Sequence, residues 1–314
     1  MADWGGNLIR FTLEQGSKLL HSFAKPANRL GLEILSNISY TESGMHEHFL
    51  DIYRPANLLD KAPCMLYIHG GGFKNLSKDT HWMINRKFAA AGLVVFSINY
   101  RLAPDNQFPA ALEDAAMALT WLLKNGKYYH ADTSKIFLAG ESAGANLALS
   151  LLVAMANKKG PFTWSNELYK NRKSVIGALP ACGILQVSNP GRFITEGVSE
   201  FVSNRIKSIC HSYLPEALYS RPDSSYADPL VLIEKKNFDK DLPPIFTFAG
   251  KNDPILSDTI RLKEALENHG QPCEAMFYED AGHAFHALTW LEQSRHCWNQ
   301  QLEFIHNLVE LHAD

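Results

Sequence analysis

Five short apolar runs that end in turn residues, with longer helical patterns between them, restrict this 314-residue chain to a small set of folds. The runs are CMLYI (64–68), LVVFSINY (93–100), KIFLAG (135–140), IFTFAG (245–250) and CEAMFY (273–278). Their near-continuous apolar character reads as strands buried on both faces. Between them, one helical pattern begins near Ala111, another covers 142–160 and closes on Gly160, and a third covers 259–270 and closes on Gly270. A last one covers 299–311. This alternation predicts an α/β fold with a mostly parallel central sheet and helices on both faces. ILSNISYT (34–41) and HEHFLDIYRP (46–55) predict two strands at an antiparallel edge, and residues 174–187 hold a further strand.

Two stretches break the alternation. The first thirty residues form an amphipathic pattern, and in 189–225 Ile194, Val198, Phe201, Val202 and Ile209 fall at helical spacing. The second is far too long for a simple connection, and reads as a structural insertion or as a lid over a site. No repeat, low-complexity tract or linker divides the chain, so one domain over 1–314 is expected, with cap elements from about 1–32 and 189–225.

Composition excludes several function classes. Net charge is −3 and no long basic run occurs, whereas duplex binding needs a clustered Lys/Arg footprint, so no nucleic-acid partner is expected. No run approaches eighteen apolar residues, which excludes a helical membrane span. The N-terminus carries Asp3, Arg10, Glu14 and Lys18 and has no uninterrupted apolar core, unlike a signal peptide. Five scattered cysteines without a C-x-x-C pair predict reduced thiols and a cytoplasmic protein.

The strongest chemical signal is Gly140-Glu141-Ser142-Ala143-Gly144, a G-x-S-x-G element between a predicted strand and a predicted helix. A sharp turn there lifts the serine hydroxyl above the sheet edge, and the helix start adds partial positive charge where an anion develops. Outside that context, Ser142 would merely cap a helix. The glycines of IHGGGF (68–73) follow the strand CMLYI, and a run without Cβ atoms lets successive amides turn toward an oxyanion. Gly70, Gly71 and Gly72 are therefore candidate donors, with the Ala143 amide as another. A phosphate-binding loop fits poorly, because no Lys-Ser/Thr follows and the G-x-G-x-x-G spacing is absent.

A nucleophilic serine needs a base, and the base an orienting carboxylate. KNDPILSD, after IFTFAG, offers Asp253 and Asp258; AGHAFHAL, after CEAMFY, offers His283 and His286. Asp253 lies directly past its strand, whereas Asp258 suits a helix cap. His283 lies in a loop and His286 enters a helical pattern. Asp253 and His283 are favoured on those grounds.

HGGGF (69–73), NYRLAPDNQFPAALEDA (99–115), GESAG (140–144), DPILSD (253–258) and GHAF (282–285) occur in one order along most of the chain. In this the chain resembles the hormone-sensitive lipase-like esterases, a branch of the α/β-hydrolases. The resemblance implies Asp253 as triad acid and His283 as base. It also implies oxyanion donors from two of Gly70–Gly72, foremost Gly71 and Gly72, plus Ala143, with His69 bracing the loop. A lid would come from the N-terminal helices and the insertion near 189–225. Glu141 and Asp105 depart from the family, which more often has aspartate and glutamate there.

Other candidates have plainer readings. His46 and His48 alternate along a predicted strand, but two ligands make a poor zinc site, and a solvated face is expected. Tyr100 and Arg101 fold the turn after their strand, Glu113 and Asp114 favour a helix N-terminus, and Asp228 is structural. Phe73, Phe193 and Phe201 are candidates for a pocket lining or for packing. The expected function is hydrolysis of small carboxylic esters with short or medium acyl chains, needing no metal and no organic cofactor. The alternatives are an amidase or arylformamidase, an interfacial lipase, or a ligand-binding protein on a hydrolase scaffold.

Overall fold

The computed structural model describes residues 26–313. Among them eight strands form one sheet: β1 (Leu32–Ser39), β2 (Phe49–Pro55), β3 (Ala62–Ile68), β4 (Val94–Ile98), β5 (Ala131–Glu141), β6 (Val175–Ala181), β7 (Ile245–Gly250) and β8 (Cys273–Tyr278). Their spatial order is β1-β2-β4-β3-β5-β6-β7-β8, and β2 runs against both of its neighbours while β4, β3 and β5 through β8 pair in parallel. The expected α/β-hydrolase architecture is therefore present.

Period-two alternation sorts the central strands' side chains onto two cores. Cys64, Leu66 and Ile68 of β3 join one cluster and Met65 and Tyr67 the other; on β5, Ile136 and Leu138 oppose Phe137 and Ala139. Helices α1 (Trp82–Ala90), α2 (Ala110–Asn125) and α3 (Ala143–Ala156) precede α4 (Ser165–Lys170), α5 (Arg192–Thr195) and α6 (Glu200–Tyr213). After them come α7 (Pro229–Glu234), α8 (Leu256–Asn268) and α9 (Glu292–Leu311). Phe88 of α1 and Trp298 and Phe304 of α9 cover one face, while Leu112 of α2, Leu147 of α3 and Leu262 of α8 cover the other. Every residue of α3 is buried, which explains why its sequence is apolar all round. Its Asn146 satisfies its amide by donating to Ile184 O and Ala227 O, both at 2.9 Å.

Several boundaries differ from expectation. Helix α3 stops at Ala156, not at Gly160: Asn157 turns extended, and its side-chain amide donates to Val153 O at 3.2 Å. Helix α9 begins seven residues early, because Ser294 and Gln301 face inward and hide its period. His46 and His48 form a short 3-10 turn, not a strand. His48 is buried, with Nε2 3.2 Å from Asp114, so the expected solvated face is corrected.

The strand expected over 174–187 ends at Ala181, because Cys182 takes a positive φ of 37°. The following amides are used by carboxylates instead of a ladder. Leu185 and Gln186 N–H donate to Asp258 (2.7 and 3.3 Å), and Val187 and Ser188 N–H to Asp228 (2.6 and 3.0 Å). Asp258 also receives the Arg192 guanidinium at 2.6 Å, so it is an ion-pair partner inside the first turn of α8, not the helix cap expected. The segment between Ser188 and Asp228 thus leaves and rejoins the core at one carboxylate. The N-terminal part expected to join it over the site lies, for residues 1–25, outside the described residues.

Candidate active site

The C-terminal ends of β3, β5, β7 and β8 carry the residues that matter, the edge at which open α/β sheets gather ligands. Ser142 stands between β5 and α3 at φ 53° and ψ −112°, a conformation an L-residue holds only under outside constraint. The constraints are visible. Ser142 N–H donates to Ala181 O at 2.9 Å, and its carbonyl accepts from Asn146 and Ile184 N–H at 3.3 Å. A Cβ at Gly144 would meet Ile68 O at 2.0 Å, and one at Gly140 would meet Gly144 C at 2.6 Å. Only glycines let the helix start against the end of β3.

The glycine loop lies beside this turn. Gly71 and Gly72 have φ of 113° and 61°, and a Cβ on Gly71 would strike Asn75 O at 2.0 Å. Among the described residues, the N–H groups of Gly71, Gly72 and Ala143 donate to no protein acceptor. The Gly70 carbonyl lies 2.6 Å from His69 Nδ1, and a Cβ on Gly70 would lie 3.0 Å from Glu141. His69 stacks on Tyr100 at 4.3 Å, and Tyr100 OH donates to His69 O at 2.9 Å. Burial, with nearby His81, pulls the His69 imidazole down to about 3, so the ring is a neutral brace for the loop. Arg101 Nη2 and Nε donate to Oδ1 of buried Asp114 at 2.7 and 2.9 Å, and Nε also to Oδ2 at 3.0 Å, folding the turn after β4 as expected.

Asp253 and His283 come together from β7 and β8. His283 Nδ1–H donates to Asp253 Oδ2 at 2.8 Å, and Asp253 Oδ1 accepts from Ile255 N–H at 2.9 Å. A Cβ at Gly250 would meet Ala281 O at 2.0 Å, so glycine there permits the two loops to touch. Burial lowers the His283 pKa, but the hydrogen bond and charge of Asp253, with Glu141 adding, outweigh it and raise the group above its ordinary value. Cys182 lies beneath, one ligand-type atom each from Cys182, Asp253 and His283 falling within 4.8 Å. Burial, then the charges of Asp253 and Glu141, push that thiol well above its usual range, so it packs as a neutral group.

Ser142, His283, Gly71 and Gly72 line one cavity of about 460 Å³. No hydrogen bond joins Ser142 Oγ to the His283 ring among the described residues; such bonds are often long before substrate binds. The apolar wall comes from Ile184, Ile206, Ile209 and Ile255, with Arg205 at the rim on α6. None of Phe73, Phe193 and Phe201 lines it. Phe73 and Phe193 are fully buried, Phe73 stacking on Tyr213 at 3.8 Å, and Phe201 is exposed.

Sequence reading missed one cluster. Glu141, buried beside Ser142, has Oε1 2.9 Å from His81 Nε2 and Oε2 3.1 Å from His286 Nε2. His286 sits in a buried 3-10 turn, Phe285–Ala287, not in a helix. The available signal was an acid inside a buried turn, which requires donors from somewhere.

Comparison with known proteins places the fold in a family. A model of the alpha/beta hydrolase fold matches residues 65–287. The acetyl esterase of Salmonella paratyphi A is 29% identical over 229 residues, 70% of this chain and 64% of that protein, so the match spans just under two thirds of the relative's length. The hyperthermophilic esterase of Pyrobaculum calidifontis superposes with a TM-score of 0.77 at 25% identity, covering 98% of this chain and 92% of that one. Esterase B of Lactobacillus rhamnosis superposes at 0.80 and 17% identity, covering 98% and 95%, a likeness of fold alone. With the family match covering most of the chain and the glycine loop and serine turn in their expected order, the chain belongs to the α/β-hydrolase-fold family, in its hormone-sensitive lipase-like esterase branch.

Proposed function

We propose that the protein is a carboxylesterase-type serine hydrolase acting on small esters with short or medium acyl chains. The observation that carries this reading is a single cavity lined by a serine at a strained strand-to-helix turn, a histidine bonded to a buried aspartate, and glycine amides without acceptors. Ser142 Oγ attacks the ester carbonyl while His283 Nε2 takes its proton, and Asp253 holds the ring with Nδ1 protonated. The oxyanion receives N–H donors from Gly71, Gly72 and Ala143, the last aided by the start of α3. His283 then protonates the leaving alcohol, activates a water against the acyl-enzyme, and returns the proton to Ser142.

The modest cavity and its isoleucine wall support short acyl groups, as does similarity to proteins named acetyl esterases. Arg205, Ile206 and Ile209 of α6 reach the cavity, which supports a cap contribution from 189–225 on one hydrolase domain. Five free thiols support a reducing, cytoplasmic location. The test is labelling with a fluorophosphonate. Capture at Ser142 is expected, with labelling and p-nitrophenyl acetate turnover both lost in a folded Ser142→Ala variant. A folded, unlabelled wild-type protein would mean a binding function, and retained turnover in the variant would move the nucleophile elsewhere.

A further inference from the structure

Glu141 has chemistry that the serine reaction does not account for. It is a buried acid one residue before the nucleophile, it lines the same cavity, and it touches segments from both sides. On one side its Oε1 meets His81 Nε2, and His81 closes the 3-10 turn Lys78–His81 that follows the glycine loop. The loop backbone also rests on it directly: a Cβ at Gly70 would lie 3.0 Å from Glu141 Cγ, O and Oε1. On the other side Oε2 meets His286 Nε2, three residues beyond His283. His286 is itself anchored, its carbonyl accepting from Ser294 Oγ at 2.8 Å and Trp298 Nε1 at 2.9 Å of α9. Burial pushes the Glu141 carboxyl upward, and the two imidazoles reverse this and hold it well below the usual carboxylate range.

We propose that Glu141 is a positioning residue whose carboxylate holds the glycine loop and the His283 loop against the nucleophile turn, so that turnover depends on its negative charge as well as its shape. This rests on the serine-hydrolase reading above. A purely structural ion pair would affect folding and leave the reacting imidazole alone; Glu141 instead adds to the field at His283. The other ionisable groups around the pair are accounted for. Asp253 and Cys182 face His283 from the ends of β7 and β6, and Arg205 faces the cavity from α6. His69, Tyr67 and Tyr100 face Glu141 from β3 and the turn after β4, beside the two imidazoles already named.

The experiment compares wild type, Glu141→Gln and Glu141→Asp by kcat, KM, thermal midpoint and the pH profile of kcat/KM on p-nitrophenyl acetate. Glu141→Gln, of equal size and uncharged, is expected to lose roughly 10- to 100-fold in kcat, the scale of a small displacement of reacting groups. Its KM should stay within about threefold of wild type, as ground-state contacts are untouched. Its acid limb should move to lower pH, because removing a nearby negative charge disfavours the imidazolium. Glu141→Asp, keeping the charge, should restore the limb. An unmoved limb in Glu141→Gln overturns the proposal whatever kcat does, and so does an unchanged kcat. Should Glu141→Gln not fold, Glu141→Asp carries the test: one methylene shorter, it cannot meet both rings, and wild-type kcat there overturns the proposal. Fluorophosphonate capture of the wild-type serine is run alongside, so that failure of the serine reading is seen separately.

Discussion

Replacing Gly144 by alanine tests whether close approach at the nucleophile turn is what positions the site. An ideal Cβ there would lie 2.0 Å from Ile68 O and 2.7 Å from His69 O, both backbone atoms at the root of the glycine loop. Tolerable contact begins near 3.0 Å, so the turn and the loop must part by about 1 Å. A displacement of that size costs on the order of 100-fold in rate, about 2.7 kcal/mol of transition-state stabilisation. Stability responds differently: overpacking costs about 1–3 kcal/mol, and alanine in place of glycine in a helix returns about 1 kcal/mol. The expected signature is therefore a split, with a thermal midpoint lower by a few degrees and kcat/KM lower by about two orders of magnitude. Gly191→Ala is the control, since that glycine has ordinary helical φ and nothing within 4 Å, and its activity should match wild type. The assay is p-nitrophenyl acetate hydrolysis with calorimetry on the same samples. A Gly144→Ala protein within twofold of wild type in kcat/KM, at unchanged midpoint, would refute the steric reasoning.

Two further outcomes follow from the carboxylates and the imidazole. Asp253→Asn should lower kcat by about 10⁴-fold by allowing the wrong tautomer. Asp258→Asn should instead lower stability by about 3–5 kcal/mol, because Arg192 is left buried without its charge partner; the reverse order of kcat losses would reassign the acid. The base must be neutral to act, and the Asp253 hydrogen bond raises the His283 pKa, so activity falls with decreasing pH through a value above 6.5. A kcat/KM profile with its acid limb at or below 6.5 would contradict that pairing, and in Asp253→Asn the limb should move down.

Much of this was legible in one dimension because it is written in local terms. The runs at 245–250 and 273–278 became strands with those same bounds, but only the first is buried on both faces as its continuous apolar character implies; the second is a half-buried edge strand with Glu274 exposed. The serine turn was legible for a similar reason: its glycines lie within two residues of Ser142. What stayed hidden depends on partners brought from far away. His48 pairs with an aspartate 66 residues distant, and His81 with a glutamate 60 residues distant, and neither spacing leaves a pattern. For Phe73 the sequence left pocket lining and packing both open, and its backbone at φ 60° sends the ring into the core against Tyr213. Asp258 passed for a cap because capping is a local rule, whereas its real partner, Arg192, belongs to the inserted segment.

The double staple at Asp228 has an engineering consequence. Since the excursion from Ser188 to Asp228 departs and returns through a single carboxylate, its ends are held together independently of the length between them. Lengthening it costs only the logarithm of loop size, about 0.6 kcal/mol per doubling. Exposed positions of this stretch, such as Phe201, can therefore change or be extended while its buried anchors, Arg192, Phe193, Cys210 and Tyr213, keep the scaffold below in register.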